Sequence, residues 1–129
     1  MRSTRARYRF PSGLRLRRKR DYGRVFENPR RSADRAVTVL AISNGLDIPR
    51  LGLAISKRWL PRAVARNRAK RLIRESFRTH QQQLQGLDVV VISRSAIAGI
   101  ETADFSRALE RHWKRIRHLT RHSRNQNAP

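Results

Sequence analysis

Two short stretches of hydrophobic and polar positions have the two-residue period of β-strands, 36–43 (AVTVLAIS) and 50–56 (RLGLAIS). The first is rich in β-branched residues and places Val37, Val39 and Ala41 on one face and Thr38, Leu40 and Ile42 on the other. The second places Leu51, Leu53 and Ile55 on one face and Gly52, Ala54 and Ser56 on the other. A third stretch, 89–93 (VVVIS), is apolar throughout, as expected for a strand covered on both faces. The segment 44–49 contains Asn-Gly, so we expect the first two strands to form a hairpin.

Helical spacing of apolar residues predicts three helices around these strands. Tyr22 and Phe26 lie four positions apart on one face of a helix predicted over 16–28. Further helices are predicted over 61–82 and 102–121. The predicted order is therefore helix, strand, strand, helix, strand, helix. This order indicates an α+β sandwich in which helices pack on a small sheet.

The charge of the chain narrows the choice of partner. The 129 residues include 31 Lys and Arg against nine Asp and Glu, a formal net charge of +22. Such an excess favours a polyanion as partner, with nucleic acid first and an anionic membrane second. The chain has no cysteine, which fits a reducing compartment, and we expect the cytoplasm. No apolar run reaches the ~18 residues of a membrane span, so a membrane partner is not expected.

The length of the chain predicts one domain with short flanking segments. We expect a basic N-terminal arm at 1–13, a single RNA-binding domain at 14–121 and a disordered tail at 122–129. No apolar stretch follows the basic N-terminal residues, so a secretory signal is not expected. A basic arm that becomes ordered when it binds RNA explains the charge of these N-terminal residues better than a secretory signal does.

The predicted central helix separates apolar and basic side chains onto two faces. At 100° per residue, Ala65, Ala69, Leu72 and Ile73 fall within one arc that we expect to face the core. The opposite arc is basic, and Glu75 is the acidic residue available to offset it. Its members are Asn67, Lys70, Arg71, Arg74 and Arg78, with Arg66 at the boundary. A solvated helix face would normally interleave acids, so this imbalance favours a surface that binds phosphates.

No catalytic constellation emerges from the sequence. His118 and His122 have the i, i+4 spacing of two metal ligands, but no acid or cysteine nearby completes a set. The carboxylates are scattered, and neither a P-loop nor a GxGxxG motif is present. The alternatives left open at this point are a ribosomal or RNA-chaperone-like protein that binds structured RNA, a DNA-binding helix protein, and a nuclease that acts alone.

Four segments of the chain together resemble one protein family. Segment 57–77 has a basic pair, KR, after a predicted strand and then RNR, KR and RE on the predicted helix. This pattern closely resembles the signature of the bacterial ribonuclease P protein subunit. Segments 20–26 (RDYGRVF), 50–56 (RLGLAIS) and 88–94 (DVVVISR) resemble that family's first helix, second strand and last strand. The resemblance covers about residues 14–119 in order.

This resemblance implies a fold and a function. The implied fold is ribosomal-protein-like, with a left-handed crossover through the central helix. The implied function is that of the non-catalytic protein subunit of ribonuclease P, an endoribonuclease that removes the 5′ leader of precursor tRNA. Its RNA subunit carries the chemistry with bound Mg²⁺, and the protein alone binds no cofactor. The implied partners are ribonuclease P RNA, at one protein per RNA, and precursor tRNA.

The resemblance also implies two groups of binding residues and no catalytic or metal-binding residue. A cleft for the single-stranded leader would be lined by Tyr22, Phe26, Thr38, Leu40, Ala54 and Ser56. Contacts with the catalytic RNA or the leader backbone would come from Lys57, Arg58, Arg62, Arg66, Asn67, Arg68, Lys70, Arg71 and Arg74. Aromatic side chains can stack on bases, but Tyr22 and Phe26 can also be ordinary core residues. Leu40 stands where some relatives carry an aromatic, which weakens the case for stacking there.

Overall fold

Three helices and four strands make up the described part of the chain. The computed structural model describes the backbone of residues 14–127 and the side chains of residues 14–121. The elements are helix α1 (Lys19–Glu27), strands β1 (Arg30–Ala33), β2 (Val37–Ser43) and β3 (Arg50–Ala54), helix α2 (Ala63–Thr79), strand β4 (Leu87–Ser93), a 3₁₀ helix (Ser95–Gly99) and helix α3 (Thr102–Asn127). Within residues 14–127, no helix is long and apolar enough to cross a bilayer.

The four strands form one sheet in the order β1-β2-β4-β3. Strand β2 is antiparallel to both β1 and β4, and β3 is parallel to β4. The predicted hairpin of β2 and β3 is therefore wrong, because β4 lies between them. The central position of β4 in the sheet buries its apolar side chains on both faces. Helix α2 forms the crossover that connects β3 to the parallel strand β4. The side chain of Asn44, in the loop between β2 and β3, donates a hydrogen bond to the Asp88 carboxylate of β4, so this loop is tied to β4.

Strand β1 is a correction to the predicted element order. Its sequence, RRSA, has no apolar alternation, and the segment had been assigned to no strand. Ser32 is nevertheless buried, and its hydroxyl lies 2.7 Å from Nδ1 of His112 on α3. The buried side chain of this edge strand is thus polar and hydrogen-bonded, so a pattern of apolar residues could not reveal the strand.

The main core fills the space between one sheet face and the helices α2 and α3. Alternate strand residues such as Val39 and Val91 meet Ile73, Phe77 and Trp113, and all five are fully buried. The rings of Phe77 and Trp113 pack edge to face with centroids 5.9 Å apart. This burial confirms the apolar arc that the sequence predicted for the central helix.

The other sheet face carries helix α1 and a smaller core. Val25 of α1 packs with Leu16, Leu40 of β2 and Val90 of β4, and Tyr22 lies at the side of this cluster. Leu16 had been assigned to the first helix. Its backbone N–H instead donates to the Leu51 carbonyl of β3, and α1 begins only at Lys19.

Two polar groups fix the ends of the sheet. Asp88, 2% exposed, accepts two hydrogen bonds from Arg50 through its carboxylate, at 2.8 and 2.7 Å, so the first residue of β3 is joined to the second residue of β4. At the opposite edge, Asp34 lies 2.8 Å from Nε2 of His112. Burial alone would raise the pKa of Asp34, but the Val37 N–H, His112 and a second N–H together hold it below its usual value.

The ends of the chain differ from expectation in one respect. Helix α3 continues to Asn127, beyond the helix end predicted at residue 121, so the tail predicted at 122–129 begins inside a helix. The predicted arm at 1–13 lies outside the described residues.

Candidate nucleic-acid interface

The sheet face that carries α1 has a floor of small and aliphatic side chains. In the strand register, Thr38, Ile92 and Ala54 lie in one row across β2, β4 and β3, and Leu40, Val90 and Gly52 lie in the next. Packing of α1 centres on the second row, through Val25. The predicted placement of Thr38 and Leu40 on one face of β2 is therefore confirmed, and Ala54 of β3 lies on the same sheet face.

Exposure differs among the predicted cleft residues of the strands. Thr38 and Leu40 are each 7% exposed, so they form the bottom of the floor. Ala54 is exposed and Ser56 is half-buried at the end of β3. The backbone N–H of Ser56 donates to the hydroxyl of Ser93 at 2.8 Å, which holds the end of β3 against β4. Small side chains at this margin leave room for another chain on the sheet.

Tyr22 is positioned by close packing on strand β3. Its ring lies directly over Gly52, where a Cβ atom would come within 2.6 Å of the ring. Its hydroxyl oxygen accepts a hydrogen bond from the Leu53 N–H at 3.3 Å. Tyr22 therefore has a structural role, as the core interpretation of this residue required. It remains only half-buried, so part of its ring is open to a ligand.

Phe26 has a different environment. Its side chain is 48% exposed, although it lies one turn from Tyr22 on the same helix. An aromatic side chain with half of its surface in water is not a core residue, and core packing therefore does not account for it. It lies on α1, the helix that packs on this sheet face, and offers an exposed aromatic ring on which a nucleobase can stack.

The outward face of α2 is basic, as the helical wheel predicted. Asn67 and Arg71 are exposed, and Arg74 and Arg78 are half-buried. With Glu75 these residues line one continuous surface groove. Glu75 pairs with Arg78 at 3.6 Å, and its single negative charge among the three arginines of this groove leaves a net positive surface.

Arg74 connects this basic face to the cleft. Burial and the nearby charge of Arg15 lower its pKa from the usual value, and Tyr22 acts in the opposite direction. Arg15, which precedes α1 and bridges to Leu51, was missed by sequence reasoning because it lies outside any periodic element. Arg15 and Arg74 are thus like charges near enough to interact, and an anion bound beside them would relieve their repulsion.

Two other predicted RNA-binding residues have structural partners. One guanidinium nitrogen of Arg66 donates to the carbonyls of Leu60 and Pro61, at 2.9 and 2.8 Å, and holds the loop before α2. Arg68 donates to the Thr102 hydroxyl at 2.6 Å, so it lies on the side of α2 that faces α3. Arg68 is therefore directed away from the cleft, although the RNR pattern places it next to Asn67 in sequence.

The remaining predicted basic residues precede or lie within α2. Lys57, Arg58 and Arg62 are exposed in the segment between β3 and α2, and the guanidinium of Arg58 lies 4.6 Å from the ring centroid of Trp59. This stacking orients Arg58 without neutralising its charge. Lys70 is half-buried on the helix. Within the residues whose side chains are described, no group of three acidic, histidine or cysteine side chains could hold a metal ion.

Comparison with known proteins identifies the family of this arrangement. The family model described as Ribonuclease P matches residues 10–117. The chain belongs to the ribonuclease P protein family. The ribonuclease P protein component of Methylococcus capsulatus is 48% identical over 106 residues, which are 82% of this chain and 83% of that protein. The corresponding protein of Thioalkalivibrio sulfidiphilus is 47% identical over 107 residues, 83% and 89% of the two chains.

Solved structures support the same assignment. The RNase P protein of Staphylococcus aureus superposes with a TM-score of 0.73 at 31% identity, over 78% of this chain and 93% of the other. The RNase P protein of Thermotoga maritima gives 0.71 at 31% identity, over 79% and 96%. As a family member, the chain is the protein component of an endoribonuclease whose chemistry is carried by RNA. Its partner is ribonuclease P RNA, and the ribosomal and RNA-chaperone alternatives gain no support.

Proposed function

We propose that this ribonuclease P protein binds the single-stranded 5′ leader of precursor tRNA between α1 and the sheet. The observation that carries the proposal is the position of Phe26. Phe26 is an exposed aromatic on the helix that packs on this sheet face, and the charge of Arg74 interacts with Tyr22 of the same helix. Single-stranded nucleic acid is bound by aromatic faces for the bases and cations for the backbone, and both are present here.

The outward face of α2 then binds ribonuclease P RNA, with one protein per RNA. Its groove of Asn67, Arg71, Arg74 and Arg78 presents forked guanidinium groups, which suit phosphate oxygens. Lys57, Arg58 and Arg62 extend this surface beyond the N-terminal end of α2. The repulsion among these cations weakens when RNA phosphates lie between them.

In this proposal the protein positions the substrate and supplies no reacting group. The Mg²⁺ used in cleavage would be held by the RNA subunit. Binding of the leader brings the precursor to the catalytic RNA and so promotes 5′ maturation of tRNA. Such processing would take place in the cytoplasm.

Leader-length dependence of binding tests the cleft. Precursor tRNAs with leaders lengthened nucleotide by nucleotide are bound to the complex of protein and ribonuclease P RNA. Wild type should gain affinity as the leader enters the cleft. Phe26→Ala should lose about five- to 150-fold of that gain, the equivalent of one base stack. The matched control is Leu46→Ala, because Leu46 is 45% exposed but lies in the β2–β3 loop. Equal gains in wild type and Phe26→Ala would rule out the cleft assignment.

A further inference from the structure

Strand β1 adds a fourth strand to the floor of the cleft. Ser32 is buried on the α3 side of the sheet, so its neighbours Arg31 and Ala33 lie on the cleft side. The register places Arg31 opposite Leu40 and Ala33 opposite Thr38. Both residues therefore continue the two rows of floor residues beyond β2.

Arg31 has no acidic partner among the residues whose side chains are described. It is exposed, and none of their carboxylates lies within the 4.0 Å of an ion pair. Arg50 and Arg107, by contrast, each have an aspartate partner. Leu40, which lies opposite Arg31, is buried beneath α1, so Arg31 is the exposed end of this row of residues. Arg31 is the cation that adjoins this part of the floor.

The position of Arg31 complements that of Arg74. Arg74 marks the margin near β3, because it lies on α2, which contacts that strand, and its charge interacts with Tyr22, whose ring rests on Gly52. Arg31 marks the opposite margin on β1. Three strand spacings of about 4.8 Å separate these strands, which gives a floor ~14 Å wide with a cation at each side. The row of Ala33, Thr38, Ile92 and Ala54, whose two ends are exposed, crosses the sheet between these two cations and fits one strand of nucleic acid whose backbone passes along a margin.

We propose that Arg31 binds a phosphate of the leader and that β1 forms the outer wall of the cleft. This inference rests on the proposed leader-binding function and adds a residue to it. The guanidinium group presents up to five N–H donors in a planar fork that matches two phosphate oxygens. Ala33, which has a small side chain, leaves the neighbouring position open for the sugar and base.

Charge-removing variants on the two sides of the sheet test the proposal. Arg31→Ala removes the cation on the cleft side. Arg35→Ala is the matched control, because Arg35 is also exposed but lines a cavity with Arg111 of α3 on the opposite side. Both variants should keep the melting temperature of wild type, since neither side chain is buried. Each is assembled with ribonuclease P RNA and assayed with precursor tRNAs of increasing leader length.

The expected result is specific to the leader. Arg31→Ala should weaken binding of long-leader precursor about tenfold, the value of a hydrogen bond to a charged group, and leave leaderless tRNA unaffected. The log–log salt dependence should fall by about 0.7, the contribution of one single-strand phosphate. Arg31→Lys should restore the salt dependence but only part of the affinity, because an ammonium group lacks the planar fork, and Arg35→Ala should bind like wild type.

Three outcomes would overturn the proposal in distinguishable ways. If wild type shows no leader dependence, the proposed cleft function itself fails. If wild type shows it and Arg31→Ala keeps it, only the role of Arg31 is wrong. If Arg31→Ala weakens leaderless and long-leader tRNA equally, Arg31 contacts another part of the complex.

Discussion

The close packing of Tyr22 on Gly52 gives a prediction that joins the fold to the site. In Gly52→Ala, the new Cβ atom would lie 2.6, 2.7 and 2.8 Å from Cε1, Cζ and Oη of Tyr22. Carbon atoms pack at about 3.5–4.0 Å, so the ring must move by roughly 1 Å. Overpacking of this kind costs about 1–3 kcal/mol, and the Leu53 N–H bond to the Tyr22 hydroxyl is lost as the ring moves.

Equilibrium denaturation of a double-mutant cycle measures this packing. Gly52→Ala should lower the free energy of unfolding by about 1–3 kcal/mol in wild type and by almost nothing in a Tyr22→Ala background. Gly23→Ala is the control, because a Cβ atom there meets nothing within 4 Å and the helix gains about 0.5–1 kcal/mol. In the complex with ribonuclease P RNA, Gly52→Ala should also reduce the leader-dependent part of precursor affinity. An equal cost with and without Tyr22 would refute the reasoning.

Three further predictions concern the buried ion pair, the pH dependence of stability and the RNA-binding helix. Arg50→Met leaves the buried Asp88 carboxylate without its bidentate partner, and a urea titration should show a loss of about 3–5 kcal/mol; an unchanged midpoint would contradict this. The pKa of Asp34 is lowered by folding, so its ionised form contributes stability above the ordinary value of 3.8 and loses that contribution as the pH falls through the folded value. The melting temperature of Asp34→Asn should therefore lie below that of wild type at neutral pH and approach it in acid, whereas a constant difference would exclude this linkage. Arg71→Gln should reduce the salt dependence of binding to ribonuclease P RNA by about 0.7–0.9, and Lys114→Gln on α3 should not; equal effects would indicate non-specific attraction.

Periodicity predicted the parts of the fold in which one face is apolar. The arc of α2 that includes Ile73 is buried as expected, and the alternation in β2 places Val39 and Leu40 on opposite sheet faces. Such patterns are readable because the side chains of a helix or strand repeat at fixed angles. The four-segment resemblance to the ribonuclease P family was confirmed on the same residues.

Strand order and β1 could not be predicted from these patterns. The hairpin expectation followed from proximity in sequence, but the apolar strand β4 takes the central place beside β2. Strand β1 buries Ser32 against His112, and the partner of that hydrogen bond lies 80 positions away. A local pattern cannot report a contact at such a distance, and for this reason the cleft side of β1 was also missed.

Adjacent basic residues of the RNR segment have different surroundings in the structure. Arg66 holds the loop before α2, Asn67 lies on the outward face, and Arg68 contacts α3. A helical wheel gives the direction in which each side chain leaves the helix but not the elements that surround it, so it could not separate these roles. The two aromatics of α1 also have different surroundings: Tyr22 rests on Gly52, whereas Phe26 is exposed. Only the fold shows this difference, because both residues lie on one face of the helical wheel.

Release of the 5′ leader from precursor tRNA tests the central claim most directly. Ribonuclease P RNA at moderate Mg²⁺ is assayed with and without the protein, and the protein freed of RNA is assayed alone. The account predicts no cleavage by the protein alone and faster leader release when protein and RNA are combined. Cleavage by RNA-free protein, or an unchanged rate on adding the protein to the RNA, would contradict it.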